Sequence, residues 1–308
     1  MIRRIPLALS FTFAAATLAV RPAASVAQQN MDDVEIKVQK VADGVYMLTG
    51  RGGNIGLSVG PDGVFVIDDQ YAPLTDRILA AIRGVTSEPV RFVINTHWHG
   101  DHTGGNENMG RAGALLVAQD NVRRRLSMEQ ILQRVGRPVD TVAAAPEGAL
   151  PVVTFSESIT FHLNGDDVHA FHVAHAHTDG DAIIHFTQAD VVHMGDTFFN
   201  GLYPFIDLST GGSIDGMIAA AGRALAVMDA DTRVIPGHGP LGTREDLRAY
   251  RDMLKTIRDR IAAEIAAGHT LEQVQASHPT AEWDEEWGGA FISPESLVET
   301  IYRSLGGR

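Results

Sequence analysis

The chain has no cysteine among its 308 residues. This absence excludes disulfide bonds, which an exported protein would otherwise be free to form, and it excludes a lipid anchor attached through a cysteine. The folded state must therefore be stabilised by its apolar core, with a bound metal as a second possible source of stability.

Positive charge is also scarce. Lysine and arginine number 25 against 38 aspartate and glutamate residues, which gives a formal net charge of −13. Binding to nucleic acid requires a basic surface that neutralises phosphates, so nucleic acid is excluded as the expected partner. We expect a small-molecule substrate instead, and bound divalent ions would offset part of the negative charge.

Long apolar runs are missing except near the start of the chain. Arg3 and Arg4 precede the mostly apolar stretch Ile5–Val20, and Ser25-Val26-Ala27 offers small residues where a signal peptidase cleaves. The stretch is short for a membrane span. We predict a secretory signal peptide over residues 1–27, no stable membrane insertion after its cleavage, and a periplasmic or secreted protein. An uncleaved anchor is the alternative.

The remaining residues, 28–308, suffice for one large α/β domain. Strands and helices alternate in two similar series within a core of about 40–240, followed by a helical C-terminal segment at 241–308. Two such halves packed face to face would form a four-layer αββα sandwich with C-terminal helices. The sequence does not indicate the oligomeric state.

One part of this core is irregular. Asn121–Gln133 has helical spacing, but Gly136–Pro151 is rich in alanine, proline and glycine. This second segment is either a mobile cover over a site or a simple connector. Together with Arg51–Asn54 and Gly201–Gly212, it is expected to form the loops that surround a substrate pocket.

The most informative feature is the hexapeptide His97-Trp98-His99-Gly100-Asp101-His102, which follows the apolar run at 91–96. On an extended backbone, side chains two residues apart share a face, so His97 and His99 can bind one ion. The aspartate and the third histidine come where the chain bends and can face a second ion. Imidazole and carboxylate together suit a divalent metal such as zinc.

Three more polar residues stand where apolar runs end. His177 lies between two predicted strands, Asp196 follows the strand at 191–194, and His238 follows the strand at 233–235. Taken singly, each is explained equally well as a solvated turn residue.

Together with the hexapeptide, these positions resemble the metallo-β-lactamase superfamily. The resemblance covers roughly residues 40–240 and rests on the hexapeptide followed, in order, by His177, Gly195-Asp196 and Gly237-His238-Gly239. Asn54-Ile55-Gly56 and Ile67-Asp68 also match the start of the family pattern.

The resemblance implies a dinuclear metal site. The first metal would be held by His97, His99 and His177, and the second by Asp101, His102 and His238, with Asp196 bridging the two. The expected cofactors are two Zn²⁺ ions, with iron or manganese as alternatives. A metal-bound hydroxide would act as the nucleophile on an activated acyl bond, and Asp101 would orient it.

Three neighbouring polar residues have simpler interpretations. His175, two residues before His177, is expected to be exposed or to support a ligand from outside the metal shell. His193 lies within an apolar strand and is expected to be a hydrogen-bonded core residue. Asp68 either orients a ligand by hydrogen bonding or caps a turn.

Two departures from the family pattern bear on the substrate. Many zinc β-lactamases have a cysteine at the position of Asp196 and a lysine three residues later, where this chain has Phe199. We expect hydrolysis of a β-lactam-type amide, with weak turnover. The alternatives are a lactone, ester or thioester hydrolase of the same fold, a mononuclear iron sulfur dioxygenase, and a non-catalytic periplasmic accessory protein. Phe198, Phe199, Tyr203 and Phe205 either line an apolar pocket or pack in the core.

Overall fold

The computed structural model of the chain describes residues 31–307. The predicted signal peptide, residues 1–27, lies outside the described residues. The described residues contain fifteen β-strands and nine α-helices, in two successive series that each place most of their strands in one large sheet.

The first sheet has seven strands in the order β1-β2-β3-β4-β5-β6-β9. β1 to β4 pair antiparallel, whereas β4, β5, β6 and β9 pair parallel. The strands are β1 (Lys37–Ala42), β2 (Val45–Thr49), β3 (Ile55–Gly60), β4 (Gly63–Ile67), β5 (Val90–Asn95), β6 (Leu115–Gln119) and β9 (Val153–Phe155).

The second sheet has six strands in the order β10-β11-β12-β13-β14-β15, with one parallel pair, β13 and β14. A separate hairpin joins β7 to β8. The strands are β7 (Gln130–Leu132), β8 (Asp140–Val142), β10 (Ser158–Leu163), β11 (Asp166–His172), β12 (Ala182–Phe186), β13 (Val191–His193), β14 (Arg233–Ile235) and β15 (Gly242–Thr243).

The two large sheets pack face to face. Alternate side chains of the strands point inward, as the two-residue period of a β-strand requires. Phe65, Ile67 and Ile94 of the first sheet share one apolar cluster with Ile184 and Ile235 of the second, and all five are fully buried. This inter-sheet core fixes the relative position of the strand ends from the two halves.

Helices cover the outer face of each sheet. Ile78 of α1 and Leu74, just before this helix, pack against the first sheet. Met217, Leu254 and Ile301, from three other helices, belong to the apolar cluster on the second sheet. The helices are α1 (Thr75–Val85), α2 (Gly100–Thr103), α3 (Asn106–Arg111), α4 (Asp120–Leu126), α5 (Ile214–Leu225), α6 (Arg244–Ala266), α7 (Leu271–Ala276), α8 (Asp284–Trp287) and α9 (Pro294–Ser304). The predicted four-layer αββα sandwich with C-terminal helices is confirmed.

The helix predicted over Asn121–Gln133 is wrong in its second half. α4 ends at Leu126, and the chain then forms β7 of the small hairpin. The carbonyl groups at the end of α4 are bound from outside the helix, because Gln130 Nε2 donates to Arg125 O and Ala145 N donates to Leu126 O. Donors from beyond the helix thus satisfy carbonyl groups that local spacing would have paired within it.

The C-terminal segment extends the outer layer of the second sheet. α6 begins at a capping box in which Thr243 accepts from Asp246 N, and its buried face includes Leu247 and Tyr250. Within residues 31–307, no helix combines the length and the apolar character needed to cross a membrane.

Candidate metal centre

The candidate site lies where strands of both sheets end. The hexapeptide follows β5, and Asp196 and His238 follow the parallel neighbours β13 and β14. His177 lies in the connection between β11 and β12. Because the inter-sheet core fixes the two sheets against each other, residues separated by up to 141 positions meet at one edge.

Seven side chains come together there in two groups. In each group the potential ligand atoms lie within 4.8 Å of one another. The first group consists of His97, His99, His177 and Asp196, and the second of Asp101, His102 and His238. These are the seven residues that the sequence predicted to be ligands.

The Asp196 carboxylate faces both groups. Its Oδ2 lies 3.5 Å from His177 Nε2 and 3.5 Å from His238 Nε2. Its Oδ1 lies 3.1 Å from His102 Nε2. One carboxylate therefore connects the groups: its Oδ2 faces a histidine of each group, and its Oδ1 faces the second group.

The histidines of the first group are held through their outer ring nitrogens. His97 Nδ1 lies 3.0 Å from Thr96 Oγ1, His99 Nε2 lies 3.0 Å from Asp207 Oδ2, and His177 Nδ1 lies 2.8 Å from the carbonyl oxygen of Phe205. These contacts turn the other nitrogen of each ring toward the centre of the group. Fixing the outer nitrogen in this way sets the tautomer and the orientation of a metal-binding imidazole.

His102 of the second group is held by Asp68. The Nδ1 of His102 donates to Asp68 Oδ2 over 2.7 Å, and the same carboxylate accepts from the backbone N and the hydroxyl of Thr96. Asp68 has a φ of +62°, in the left-handed region, directly after β4. Of the two interpretations given to Asp68, the one in which it orients a ligand therefore describes its contacts.

Two histidines of the first group are neutral in the metal-free protein. Burial, together with the neighbouring imidazoles, keeps the pKa of His97 well below its ordinary value. Burial likewise lowers the pKa of His177 to about 4. These two rings therefore have an unprotonated nitrogen available at neutral pH.

The second group is charged. Burial opposes the shift, but the carboxylates of Asp196 and Asp101 raise the pKa of His238 to about 9. The pKa of His102 is raised in the same way, with Asp68 as a further cause. In turn, His102 and His238 lower the pKa of Asp196 against the effect of its burial.

The donor set fits divalent metal ions. The Nε2 atom of His97 is buried, points into the first group and has no hydrogen-bond partner among the described residues. Buried polar atoms without partners are rare in proteins and call for an explanation such as an ion. Five imidazoles and two carboxylates, clustered and oriented from outside, match the ligands that zinc and neighbouring transition metals prefer.

The other residues considered in the sequence analysis lie outside the two groups of ligands. His175 is exposed and its Nδ1 contacts the Gly211 carbonyl oxygen, so it lies outside both groups. His193 is buried, with Nε2 donating to Asn54 O. Phe199 is fully buried, and its ring stacks on His238 at a centroid distance of 5.3 Å. Phe198 and Tyr203 pack in the core.

Asp207 was missed by the sequence analysis. Its Oδ1 accepts from Ser209 N and its Oδ2 contacts His99 and the Thr210 hydroxyl. In sequence, an aspartate followed by serine and threonine is sufficiently explained as a cap of a turn. The contact with His99 depends on tertiary packing across 108 positions, which no local pattern indicates.

The metal groups open into a cleft of about 560 Å³. Phe205 and the exposed Phe291 line it on one side, and the β7–β8 hairpin lines it on the other, through residues that include Arg134 and Val142. The hairpin and the residues after it occupy most of the segment for which a cover or a connector was predicted. Residues 140–142 form part of the wall of the cleft.

The sequence profile of the metallo-β-lactamase superfamily matches residues 48–269, which include both groups. The chain belongs to the metallo-β-lactamase superfamily. The resemblance inferred from the hexapeptide and the later strand ends is therefore confirmed, and the two His/Asp groups have the arrangement of a dinuclear metal site.

Solved structures show the same fold at low sequence identity. A metallo-β-lactamase from Pontibacter korlensis is 19% identical with a TM-score of 0.59, over 72% of this chain and 99% of that one. The DIM-1 metallo-β-lactamase is 18% identical with a TM-score of 0.59, over 73% and 99%. A double mutant of the sec-alkyl sulfatase PisA1 is 17% identical with a TM-score of 0.66, over 88% of this chain and 50% of that one.

Proposed function

We propose that this superfamily member is a dinuclear zinc-dependent hydrolase of activated acyl bonds, which hydrolyses a β-lactam-type amide with weak turnover. The observation that carries the proposal is the Asp196 carboxylate, which lies between two groups of oriented, buried imidazoles. A site built for one ion would not require the second group or a shared carboxylate.

The two groups define the ligand assignment. His97, His99 and His177 would hold the first ion, and Asp101, His102 and His238 would hold the second, with the Asp196 carboxylate shared between them. When bound, a pair of zinc ions lowers the pKa of water toward about 7 and polarises a substrate carbonyl. The chain therefore needs no serine or cysteine nucleophile.

Asp101 is the proposed catalytic residue. Its Oδ2 lies 3.3 Å from His238 Nε2, and its side chain, 24% exposed, borders the cleft. Although burial acts in the opposite direction, His102 and His238 lower the pKa of Asp101. The group is therefore a carboxylate at neutral pH, able to accept a hydrogen bond from the attacking water and fix its direction.

The arginines that line the cleft favour an acyl substrate with a negative charge. Phe199 stands where many lactamases have a lysine, but Arg51 and Arg134 both line the cleft, and Arg134 is paired with Asp140. Tyr71 lines the same cleft, and burial is the chief cause that raises its pKa to about 12, so its hydroxyl remains protonated as a donor. Arg51, Arg134 and Tyr71 do not occupy the position of the lysine that many lactamases have three residues after the bridging ligand. We therefore expect β-lactam turnover to be weak.

The setting of the reaction follows from the composition. We propose a periplasmic or secreted enzyme acting on a small molecule, without a nucleic-acid partner, on the basis of the leader-like start and the net charge of −13. Expression with the complete leader, followed by fractionation, tests the location. Recovery of the protein in the cytoplasm at full length would contradict it.

A substrate panel on zinc-loaded protein tests the proposed reaction. The panel contains a chromogenic cephalosporin, a lactone, an ester and a thioester, and each is assayed with native protein, Asp101→Asn and Asp167→Asn. The last variant changes an exposed aspartate that does not line the cleft, and it serves as the matched control. We expect hydrolysis that is lost in Asp101→Asn and kept in Asp167→Asn. Metal-loaded protein that is inert to the whole panel would contradict the proposal.

A further inference from the structure

A second cavity lies beside the metal cleft. It has a volume of about 330 Å³ and shares Trp98, Gly100 and Val142 with the lining of the cleft, so the two spaces are direct neighbours. We infer that this cavity, here called the side chamber, binds an apolar side group of the substrate while the scissile bond lies at the metals. The inference rests on the proposed hydrolase function and specifies its substrate class.

The side chamber is lined mainly by apolar side chains. Trp98 and Leu126 belong to a small buried cluster on which the chamber is built, and Val142 and Ala145 pack against that cluster. Met128 also lines the chamber although half of its surface is exposed. An apolar ligand would cover this surface, and removal of apolar surface from water favours binding.

The charged groups at the chamber wall are already paired. Arg125 forms an ion pair with Asp179 over 2.7 Å, and Glu107 forms one with Arg111. A charged ligand would have to break one of these pairs or enter without a counter-ion, which is costly in a partly buried space. The chamber therefore favours a neutral, apolar occupant over an ionic one.

The amide and hydroxyl groups of the wall are paired as well. Asn108 Nδ2 donates to Ala72 O, Gln130 Nε2 donates to Arg125 O, and the Thr103 hydroxyl donates to the backbone of the hexapeptide. Since these donors have protein acceptors, an aliphatic or aryl group loses nothing by leaving them uncontacted. The expected substrates carry such a group next to the acyl bond.

A chain-length series tests the inference. p-Nitrophenyl esters from acetate to octanoate are hydrolysed by zinc-loaded native protein, by Ala145→Trp and by Ala144→Trp. Ala145 lines the chamber, whereas its exposed neighbour Ala144 does not. Ala144→Trp is therefore the matched control for Ala145→Trp. In native protein, kcat/KM should rise about fourfold per methylene, corresponding to ~0.8 kcal/mol per buried CH₂, until the chamber is full.

The variants separate the outcomes. Ala145→Trp should flatten the chain-length dependence, with the longest esters losing most, while Ala144→Trp should behave as native protein. If Ala145→Trp does not fold, as judged by circular dichroism, Met128→Trp fills the chamber from an exposed position and should give the same flattening. A native protein without chain-length dependence, or chamber variants that retain it, would overturn the inference.

Binding of neutral alcohols distinguishes this inference from the proposed function. Calorimetric titration with 1-butanol and 1-octanol requires no turnover, and octanol should bind native protein and Ala144→Trp more tightly than Ala145→Trp. If the zinc-loaded protein is inert to the whole substrate panel but octanol shows this pattern, the hydrolase proposal fails and the chamber stands. If esters are hydrolysed but octanol binds all three proteins alike, the chamber is refuted and the hydrolase stands.

Discussion

Four of the five histidines in the two groups are fixed through the ring nitrogen that points away from the centre. Asp207, Asp68 and the Phe205 carbonyl are the acceptors for three of them, and Thr96 binds the fourth. Such outer contacts set which nitrogen is free to bind a metal and in which direction it points. At the scale of residues, the site is therefore shaped before any ion arrives.

The Asp68 contact predicts a selective loss. Asp68→Asn keeps an amino acid that tolerates the left-handed backbone but removes the carboxylate facing His102. We expect the affinity for the second metal to fall about 10–100-fold, as for other outer partners of metal ligands, with the first metal retained. Zinc competition titrations measure both sites. Asp190→Asn, at another left-handed aspartate that binds Thr232, is the matched control and should change neither site.

Asp196 predicts a stronger effect because its carboxylate faces both groups. Asp196→Asn should reduce the metal content to about one ion per chain and lower turnover by more than about 100-fold. This loss is larger than the one expected when a hydrogen-bond partner of a metal ligand is removed. Metal analysis and steady-state kinetics measure the two effects. His175→Ala, which changes an exposed histidine outside the groups, should leave both values unchanged. Normal metal content in Asp196→Asn would refute the bridging role.

The opposite pKa shifts predict different pH dependences for the two metals. The pKa of His238 is raised to about 9, so below that pH a zinc ion must displace a proton from the second group. The zinc affinity of the second group should therefore rise about tenfold per pH unit for each proton displaced. Burial lowers the pKa of His177 to about 4 and keeps the pKa of His97 well below its ordinary value, so these two ligands of the first group have no such proton to lose above pH 6. Chelator competition between pH 6 and 9 measures the slopes. Equal slopes at both sites would contradict this assignment.

At the scale of elements, the site depends on tight turns that carry backbone close to the ligand side chains. A Cβ on Gly53, between β2 and β3, would lie 2.0 Å from His102 Cε1. A Cβ on Gly237, after β14, would lie 2.1 Å from Asp196 Oδ1. The glycines of these turns thus leave room for the ligands supplied by other strands.

Gly53→Ala tests this dependence without removing a ligand. The added methyl overlaps the His102 ring, so we expect the second metal to be weakened by at least about tenfold, a loss of ~1.4 kcal/mol. Gly222→Ala, within α5, meets no atom within 4 Å and gains helix propensity, so it should keep both metals and equal or exceed native stability. Zinc titration combined with thermal unfolding measures both effects. Unchanged metal affinity in Gly53→Ala would show that the ring can move aside.

Elements with strong local patterns were predictable from sequence. The strands before the ligands, such as β5 and β13, are short apolar runs, and α6 and α9 have clear amphipathic spacing. The end of α4 was not predictable, because it is set by hydrogen bonds from Gln130 and Ala145 in the following hairpin segment. The hairpin matters for function, since it lines the cleft.

At the scale of the whole molecule, the two halves of the fold share one site. The first sheet supplies the hexapeptide, and the second supplies His177, Asp196 and His238. The sequence could indicate these residues because each follows a strand and matches a family pattern. It could not indicate Asp207 or the side chamber, since both arise from contacts between segments that have no common local signal.

The most direct test of the central claim is a zinc titration of metal-free protein, with the hydrolysis of a chromogenic cephalosporin followed at each addition. Metal content is measured on the same samples. We expect the rate to reach its maximum at two zinc ions per chain and to be abolished by a chelator. A maximum at one ion per chain, or a protein that is purified with one iron and consumes oxygen, would contradict a dinuclear hydrolase.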